Sequence, residues 1–374
     1  MMQDKIPFNV PYLTGNEIKY IAEAMSARKL SGNGIFTQRC QNFIENTFSA
    51  KKSLLTTSCT DALELAALLI DIKAGDEVIL PSYTFVSSAN AFVLRGAKLV
   101  FCDSRPDHPN LDVNAVESLI TPRTRAIVAV HYGGFPCDMK KLLDLAKRNN
   151  IFVIEDAAQA FNVKTPLGYL GTIGHLGAYS FHDTKNFISG EGGALIVNHE
   201  PFVKRSEIIW EKGTNRSAFF RGEVNKYGWV DVGSSFLPSE LIAAFLWAQL
   251  EAMEKIHTHR LEIFDRYYTA LSHLSQKDIQ LPPKSGHNGH VFFLVCRSLE
   301  ERTALIARLK DRGIMTVFHY LSLHKSMYYA EKHDKRPLPQ SDRYSDCLVR
   351  LPLYGDLSKT DQDQVIEAVQ SFFE

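Results

Sequence analysis

The chain has 374 residues, 45% hydrophobic and 22% charged, an ordinary globular balance and enough for about two domains at roughly 150 residues each. Lys+Arg 42 against Asp+Glu 42 leave no formal net charge, which argues against a nucleic acid or an anionic membrane surface as partner. No CxxC pair exists among Cys40, Cys59, Cys102, Cys137, Cys296 and Cys347, so neither a zinc site nor a disulfide framework is expected, and no apolar run approaches the roughly 20 residues of a bilayer span.

The N-terminal stretch Met1-Met2-Gln3-Asp4-Lys5-Ile6-Pro7 has no apolar signal core, and with reduced thiols the expectation is a cytoplasmic protein. From about residue 50 to 200, short apolar runs alternate with helical patterns. Strands are expected at Glu77–Leu80, Lys98–Cys102, Ala126–Val130, Phe152–Ile154, Ala178–Phe181 and Ala194–Val197. Helices are expected at Thr60–Ile70, Phe85–Leu94, Val113–Ile120, Met139–Asn149 and Pro201–Trp210. Continuous apolar strands are buried on both faces, and their alternation with helices predicts an α/β fold with a mostly parallel sheet. Ligands then bind beyond the carboxyl ends of the strands. Pro238 suits the first turn of a long helix over Ser239–Ile256. The pattern changes around Ile256–Arg260, and the rest reads helix, strand, helix, strand, helix, with a turn at Ser285–Gly289 before a strand His290–Cys296. The expected division is a large α/β domain over residues 1–255 and a smaller C-terminal α+β domain over 256–374.

Chemistry-bearing residues cluster where strands end. Thr57-Ser58-Cys59-Thr60-Asp61 opens an apolar helix; an ordinary N-cap explains it, and so does a phosphate cradle of free N–H groups at the positive end of a helix. Leu80-Pro81-Ser82-Tyr83-Thr84-Phe85 sets Phe85 beyond a strand end, where an aromatic either joins the core or stacks on a flat ring. His131-Tyr132-Gly133-Gly134 follows a strand and is a candidate pocket wall. Val153-Ile154-Glu155-Asp156-Ala157-Ala158-Gln159 ends an apolar strand in a carboxylate. Asp156 is either a cap or the partner of a protonated pyridine nitrogen, with Gln159 one helical turn on. Ser180-Phe181-His182-Asp183-Thr184-Lys185-Asn186 runs into Gly190-Glu191-Gly192-Gly193 and sets one lysine between an apolar strand and a glycine turn. Lysines are mostly solvated, but a strand-end lysine paired with a strand-end aspartate is what pyridoxal phosphate chemistry needs: an amine for the Schiff base and an acid for the ring nitrogen. Ser180 adds a hydroxyl for the same phosphate. Lys212-Gly213-Thr214-Asn215-Arg216 is a partly basic loop, open to substrate phosphates or to solvent. Phe318-His319-Tyr320-Leu321-Ser322-Leu323-His324 carries two histidines with no acidic or Cys partner in the segment, so substrate contact is a better functional reading than metal binding.

Taken together, these motifs resemble the sugar-nucleotide aminotransferase family often called DegT–DnrJ. The resemblance runs from Ile6-Pro7-Phe8-Asn9 and Ser31-Gly32-Asn33-Gly34 to Arg350-Leu351-Pro352-Leu353. It implies the type I, aspartate aminotransferase-like fold of pyridoxal phosphate enzymes. It implies Lys185 as the Schiff-base lysine, Asp156 as the pyridinium partner, Gln159 beside the ring hydroxyl and Phe85 as the stacking aromatic. Thr60, Asp61 and Ser180 match the phosphate-binding positions. The family forms homodimers with shared active sites, in which a Gly-x-Asn-x-Arg segment sends an Asn to the neighbour's phosphate. Here the segment reads Gly233-Ser234-Ser235-Phe236-Leu237, so Ser235 replaces that Asn. Pro81–Ser87, Glu211–Ser217 and the Ser234-Ser235 departure look similar to family members that aminate C4 of a sugar. That likeness implies a dTDP-4-keto-6-deoxyglucose acceptor, L-glutamate as donor, and a role in surface polysaccharide such as enterobacterial common antigen or O-antigen. His131, Lys212, Arg216, His319, Tyr320 and His324 are the candidate substrate contacts.

Rival readings are an aminotransferase acting at C3, a non-enzymatic regulator on the same fold, a sugar 3-dehydratase and a nicotinamide-dependent oxidoreductase. The dehydratase relatives carry histidine where Lys185 stands, and the oxidoreductase needs a Gly-x-Gly-x-x-Gly after its first strand, which is absent. Retention of Lys185, Asp156 and Gln159 speaks against the regulator.

Overall fold

Strands apolar on both faces need a covering layer on each side, and the chain supplies two. The computed structural model of the protein describes residues 6–374, so part of the stretch read for a signal core, residues 1–5, lies outside the described residues. In chain order come α1 (Glu17–Ser26), α2 (Ile35–Phe48), β1 (Lys52–Thr56), α3 (Cys59–Leu69), β2 (Glu77–Pro81), α4 (Ser87–Val93), β3 (Lys98–Cys102) and α5 (Val113–Val116). Then follow β4 (Thr124–Val130), α6 (Met139–Asn149), β5 (Phe152–Asp156), a hairpin of β6 (Lys164–Thr165) and β7 (Gly168–Tyr169), β8 (Leu176–Ser180) and β9 (Gly193–Val197). The larger part closes with α7 (Val203–Trp210), α8 (Arg216–Phe220) and α9 (Glu240–Glu251). A seven-stranded sheet has the order β1-β9-β8-β5-β4-β2-β3. β9 alone runs against its neighbours, and the pairs from β8 through β3 are parallel.

The period of two along each strand distributes the core. Val78, Leu80, Ala126, Val128 and Ile154 pack with Ala62, Leu65 and Leu69 of α3 on one face. Ile79, Ile127, Ala129 and Val153 pack with Leu142 and Leu145 of α6 on the other. The same alternation separates the two carboxylates that end β5. Glu155 falls on the α6 side and is fully buried. It accepts hydrogen bonds from the backbone N–H groups of Gly171 (2.8 Å), Ile173 (2.7 Å) and Gly174 (2.6 Å) and from His131 Nε2 (2.9 Å). Asp156 falls on the α3 side, at the carboxyl end of the sheet.

The C-terminal part comprises α10 (Met253–Leu271), β10 (Phe292–Val295), α11 (Leu299–Asp311), α12 (Pro339–Cys347), β11 (Leu348–Leu351) and α13 (Lys359–Phe373). β10 and β11 pair antiparallel. Phe264, Leu271, Phe292, Leu294, Leu305, Val349, Val365 and Val369 form its core, which extends to Tyr83 and Tyr132 of the larger part.

The expected single helix over Ser239–Ile256 is two. Ala252, at φ −96° and ψ 13°, leaves helical geometry between α9 and α10. The break coincides with a change of duty, since α9 buries Ala243, Ala244, Leu246 and Leu250 in a core on the large sheet while α10 buries Ile263, Phe264 and Tyr267 in the smaller core. The expected division at 255/256 therefore falls in the first turn of α10, which continues through Ile256–Arg260. Before His319 the chain makes an isolated bridge, Val317 with Arg350. Replacing Glu155 with Gln keeps its volume but turns an NH2 group toward donors. That change should cost about 3 kcal/mol, measured as a lowered urea midpoint; an unchanged midpoint would contradict the structural role of this carboxylate.

Candidate active site

A cavity of about 500 Å³ opens where the carboxyl ends of β4, β5 and β8 meet the smaller core. Asp156, Gln159, Ser180, Lys185, Thr60, Phe85, His131, His319 and Tyr320 all line it.

Asp156 is held rigidly. Ser88 Oγ donates to its Oδ2 at 2.6 Å, and the N–H of Ala158 donates to Oδ1 at 3.1 Å. Because Ser88 gives its proton to the carboxylate, the 2.9 Å contact between Thr84 Oγ1 and Ser88 Oγ has Thr84 as donor. Lys185 is half-buried on the loop between β8 and β9. Phe187 and Ile188 anchor that loop in the interior. Asn186 ties it to the smaller part by donating Nδ2–H to the carbonyl of Asn288 (2.9 Å) and by a 2.8 Å contact between its Oδ1 and His290 Nδ1. Asn9 Nδ2 donates to the carbonyl of Asp183 at 3.2 Å. Lys185 and Asp156 lie close enough to act on one thiol: burial pushes the Cys59 pKa well up, the Asp156 charge adds to this and the Lys185 charge opposes it.

The N-terminus of α3 forms the opposite wall. Ser58 caps the helix, its Oγ accepting from the N–H of Asp61 at 3.1 Å. The N–H groups of Cys59 and Thr60 have no protein acceptor among the described residues and border the cavity. Thr60 Oγ1 lies 2.8 Å from Ser87 Oγ. Gly193 permits this packing, since a Cβ there would fall 2.5 Å from the Cys59 nitrogen. Asp61 is not among the lining residues; its carboxylate accepts from Thr57 Oγ1.

Gln159 accepts from the N–H of Gly133 at 2.7 Å and donates from Nε2 to Tyr320 Oη at 3.0 Å. Tyr83 and Tyr132 both donate to the carbonyl of His319, at 2.5 Å and 3.0 Å, which sets the His319–Tyr320 wall. Burial, with Arg350 and Lys185 nearby, lowers the His319 pKa and so disfavours its charged form. Phe85 stands at the mouth, 53% exposed, its ring 5.8 Å from that of Tyr320.

The remaining expected site residues lie elsewhere or are already committed. His131 borders the cavity, but its Nε2 faces Glu155 and its Nδ1 accepts from the N–H of Cys137 at 3.1 Å. Both nitrogens are thus used internally. His324 is buried outside the cavity, with Nδ1 2.7 Å from Ser82 Oγ and Nε2 3.6 Å from Asp342. Lys212 and Arg216 are exposed away from it, and Arg216 pairs with Glu211 at 2.8 Å. Ser235 is exposed in an isolated bridge with Glu211 and does not line this chain's own cavity. Residues that sequence reading gave no role but that line the cavity or hold its groups are Ser88, His182, His290 and Arg350.

The donor set fits pyridoxal phosphate. Two free N–H groups at a helix N-terminus suit its phosphate, a fixed carboxylate suits its ring nitrogen, an amine suits its aldehyde and an exposed aromatic suits its ring face. Among the described residues no helix is long and apolar enough to cross a membrane, and no group of three or more His, Cys, Asp or Glu is placed to hold a metal ion.

Comparison with known proteins agrees with this chemistry. Residues 11–370 match the family described as the DegT/DnrJ/EryC1/StrS aminotransferase family. The chain is 32% identical over 375 residues to GDP-perosamine synthase of Escherichia coli O157:H7, covering 98% of each chain. It is 32% identical to the spore coat polysaccharide biosynthesis protein SpsC of Bacillus subtilis (strain 168), covering 98% of this chain and 96% of that one. Among solved structures, the aminotransferase TlmJ from Streptoalloteichus hindustanus superposes with a TM-score of 0.90 at 28% identity over 98% of both chains. The fold is that of the pyridoxal phosphate-dependent aminotransferases.

Ser88→Ala removes the shortest bond to Asp156 and should weaken pyridoxal phosphate binding about tenfold, read by titrating the apoprotein and following visible absorbance. Unchanged affinity would show that Asp156 does not depend on Ser88.

Proposed function

The chain belongs to the DegT/DnrJ/EryC1/StrS aminotransferase family, and from that premise we propose that it moves an amino group from L-glutamate to C4 of a dTDP-4-keto-6-deoxyhexose. The product of that reaction is dTDP-4-amino-4,6-dideoxygalactose. The carrying observation is that Lys185 and Asp156 line one cavity at the carboxyl end of the sheet. When bound, pyridoxal phosphate supplies an aldehyde for the amine and an electron-withdrawing ring.

The chain's own groups do the rest. Cys59 and Thr60 offer their N–H groups to the phosphate at the positive end of α3, with the hydroxyls of Thr60 and Ser180 beside them. Asp156, oriented by Ser88 and Ala158, offers its charge to the ring nitrogen. Lys185 Nζ would take the proton from the carbon that carries the donor amine in the first half-reaction and would deliver one to the former keto carbon of the acceptor in the second. Phe85 and Tyr320 cover the cavity mouth and limit water. Gln159 keeps the Tyr320 hydroxyl in place.

The reading includes a homodimer in which Ser235 reaches the phosphate bound in the second copy. Supporting this, Ser235 is exposed, and Phe220, Tyr227, Trp229 and Val230 on the preceding segment expose apolar surface suited to a second copy. Lys212 and Arg216, exposed on the same stretch, are then available to the diphosphate of the sugar nucleotide. The reaction belongs in the cytoplasm, on the way to a surface polysaccharide. A GDP-linked 4-keto-6-deoxyhexose is the second reading, favoured by the 32% identity to GDP-perosamine synthase.

Incubation with L-glutamate and either dTDP-4-keto-6-deoxyglucose or GDP-4-keto-6-deoxymannose, with NMR of the product, tests the proposal. Amination at C4 of the dTDP sugar is expected; a product from the GDP sugar alone would move the assignment to the second reading, and no amination of either would reject both. Lys185→Ala should lose the visible absorbance of covalently held cofactor together with turnover. Asp156→Asn should lower turnover by about 100-fold or more, and full activity in either variant would overturn its role.

A further inference from the structure

Four histidines line the cavity, and they differ in what their ring nitrogens face. His131 uses both nitrogens inside the protein. His182 stands at the rim, with Nδ1 2.9 Å from Thr184 Oγ1 and 3.0 Å from Asp183. The half-buried His319 ring stacks on Tyr320, with centroids 5.3 Å apart. His290, just ahead of β10, is only 5% exposed. Its backbone is held from both sides: its N–H donates to Asn288 Oδ1 at 3.2 Å, and its carbonyl accepts from Arg260 Nη2 at 3.0 Å. Its Nδ1 lies 2.8 Å from Asn186 Oδ1, and the direction of that bond is fixed. Asn186 turns its NH2 group to the Asn288 carbonyl at 2.9 Å. The atom facing His290 is therefore the amide oxygen, an acceptor only, and Nδ1 carries the proton. Burial, then the charges of Lys185, Arg350 and Arg260, hold the His290 pKa well below its usual value, so the ring takes no second proton at neutral pH. Nε2 is left as a lone-pair acceptor, and among the described residues nothing donates to it.

We propose that His290 is a positioning residue for Lys185, its Nε2 accepting a hydrogen bond from the lysine amine whenever that amine is free of the cofactor. A bare lone pair repels carboxylate and phosphate oxygens, so Nε2 serves none of the anionic groups that enter the cavity; it needs an N–H or O–H. Lys185 lines the same cavity, and among the described residues its Nζ has no hydrogen-bond or ion-pair partner. Its charge is the strongest acting on the His290 ring. The cavity acids are engaged elsewhere, Asp156 by Ser88 and Ala158 and Glu191 at the rim, 3.6 Å from His182. Asn186, which fixes the ring, is the next residue after Lys185, so one loop sets both the imidazole and the amine. A hydrogen bond accepted from an ammonium favours that charged form. His290 thereby steadies Lys185 while Nζ holds the proton in transit, against the positive charges of Arg350 and Arg260. The proton stays on Nζ throughout, and no covalent bond to Nε2 forms or breaks.

This inference rests on the aminotransferase reading, and a measurement without cofactor separates the two. The full chain carrying isotope-labelled histidine is freed of cofactor, and its ring nitrogens are read by NMR at neutral pH, with His290→Gln used to assign the signals. A protonated Nδ1 and a bare Nε2 are expected, and the Nε2 signal should move in Lys185→Met. A proton on Nε2 in place of Nδ1, a doubly protonated ring, or an Nε2 signal unmoved by Lys185→Met would overturn the assignment. The holoenzyme supplies the second arm, a single half-reaction with L-glutamate followed by stopped-flow absorbance. His290→Phe should slow it about 30-fold, the loss of a hydrogen bond to a charged group, while glutamate affinity stays within about twofold. The isotope effect of α-deuterated glutamate should rise in the same variant. His290→Gln, whose Oε1 can stand where Nε2 stood, should recover most of the rate. An undiminished rate in His290→Phe, or equal losses in the two variants, would contradict the proposal. Should His290→Phe not fold, the ring-nitrogen signals of the unaltered chain and of Lys185→Met decide on their own. Absence of transamination by the unaltered enzyme would reject the substrate reading and leave those signals to decide His290.

Discussion

Adjacent residues on a strand point to opposite faces of its sheet, and at the end of β5 this rule assigns two neighbouring carboxylates to different tasks. Glu155 turns into the protein, where three backbone N–H groups and His131 satisfy it. Asp156 turns toward α3 and the cavity, held by Ser88 and Ala158. The buried carboxylate fixes the Gly171–Gly174 turn and the histidine beneath the cavity wall. The strand end that presents Asp156 is thereby braced from behind. A slip of β5 by one residue would exchange the two carboxylates, leaving donors unpaired on one side and an acid misplaced on the other.

Around that strand end the two parts of the chain contribute different kinds of group. The large sheet supplies the fixed elements: the carboxylate, the helix N-terminus and the lysine loop. The smaller core supplies the opposing wall of His290, His319, Tyr320 and Arg350. Tyr83 and Tyr132 join the two, since both are buried in the smaller core while their hydroxyls grip the His319 carbonyl. The cavity is therefore a product of packing between two cores.

Much of this was legible in the sequence because strand ends are legible. Asp156 and Lys185 each follow an apolar run, and both border the same cavity. The parallel sheet and its covering helices follow from the same runs. β1 escaped notice because a short strand opening Lys52-Ser53 carries little apolar signal and is specified by its partner β9. The break at Ala252 escaped because alanine favours helix, and only the change of core explains it. Ser88 has no spacing relation to Asp156, since the bond spans 68 positions. Arg350 looks like any charged strand residue until the fold buries it. His131 shows the converse: its position after a strand suggested substrate contact, but Glu155, on a neighbouring strand, engages the ring.

The Asn186 side chain, bonded to the Asn288 carbonyl and in contact with His290, fastens the lysine loop to the C-terminal part. The loop's position is thereby set in part by the C-terminal part. A chimaera built by grafting a foreign C-terminal half after α9 would inherit an intact sheet yet leave the adjacent lysine without its tether. A graft that keeps the lysine in place must carry the 288–290 segment along with the loop it grips.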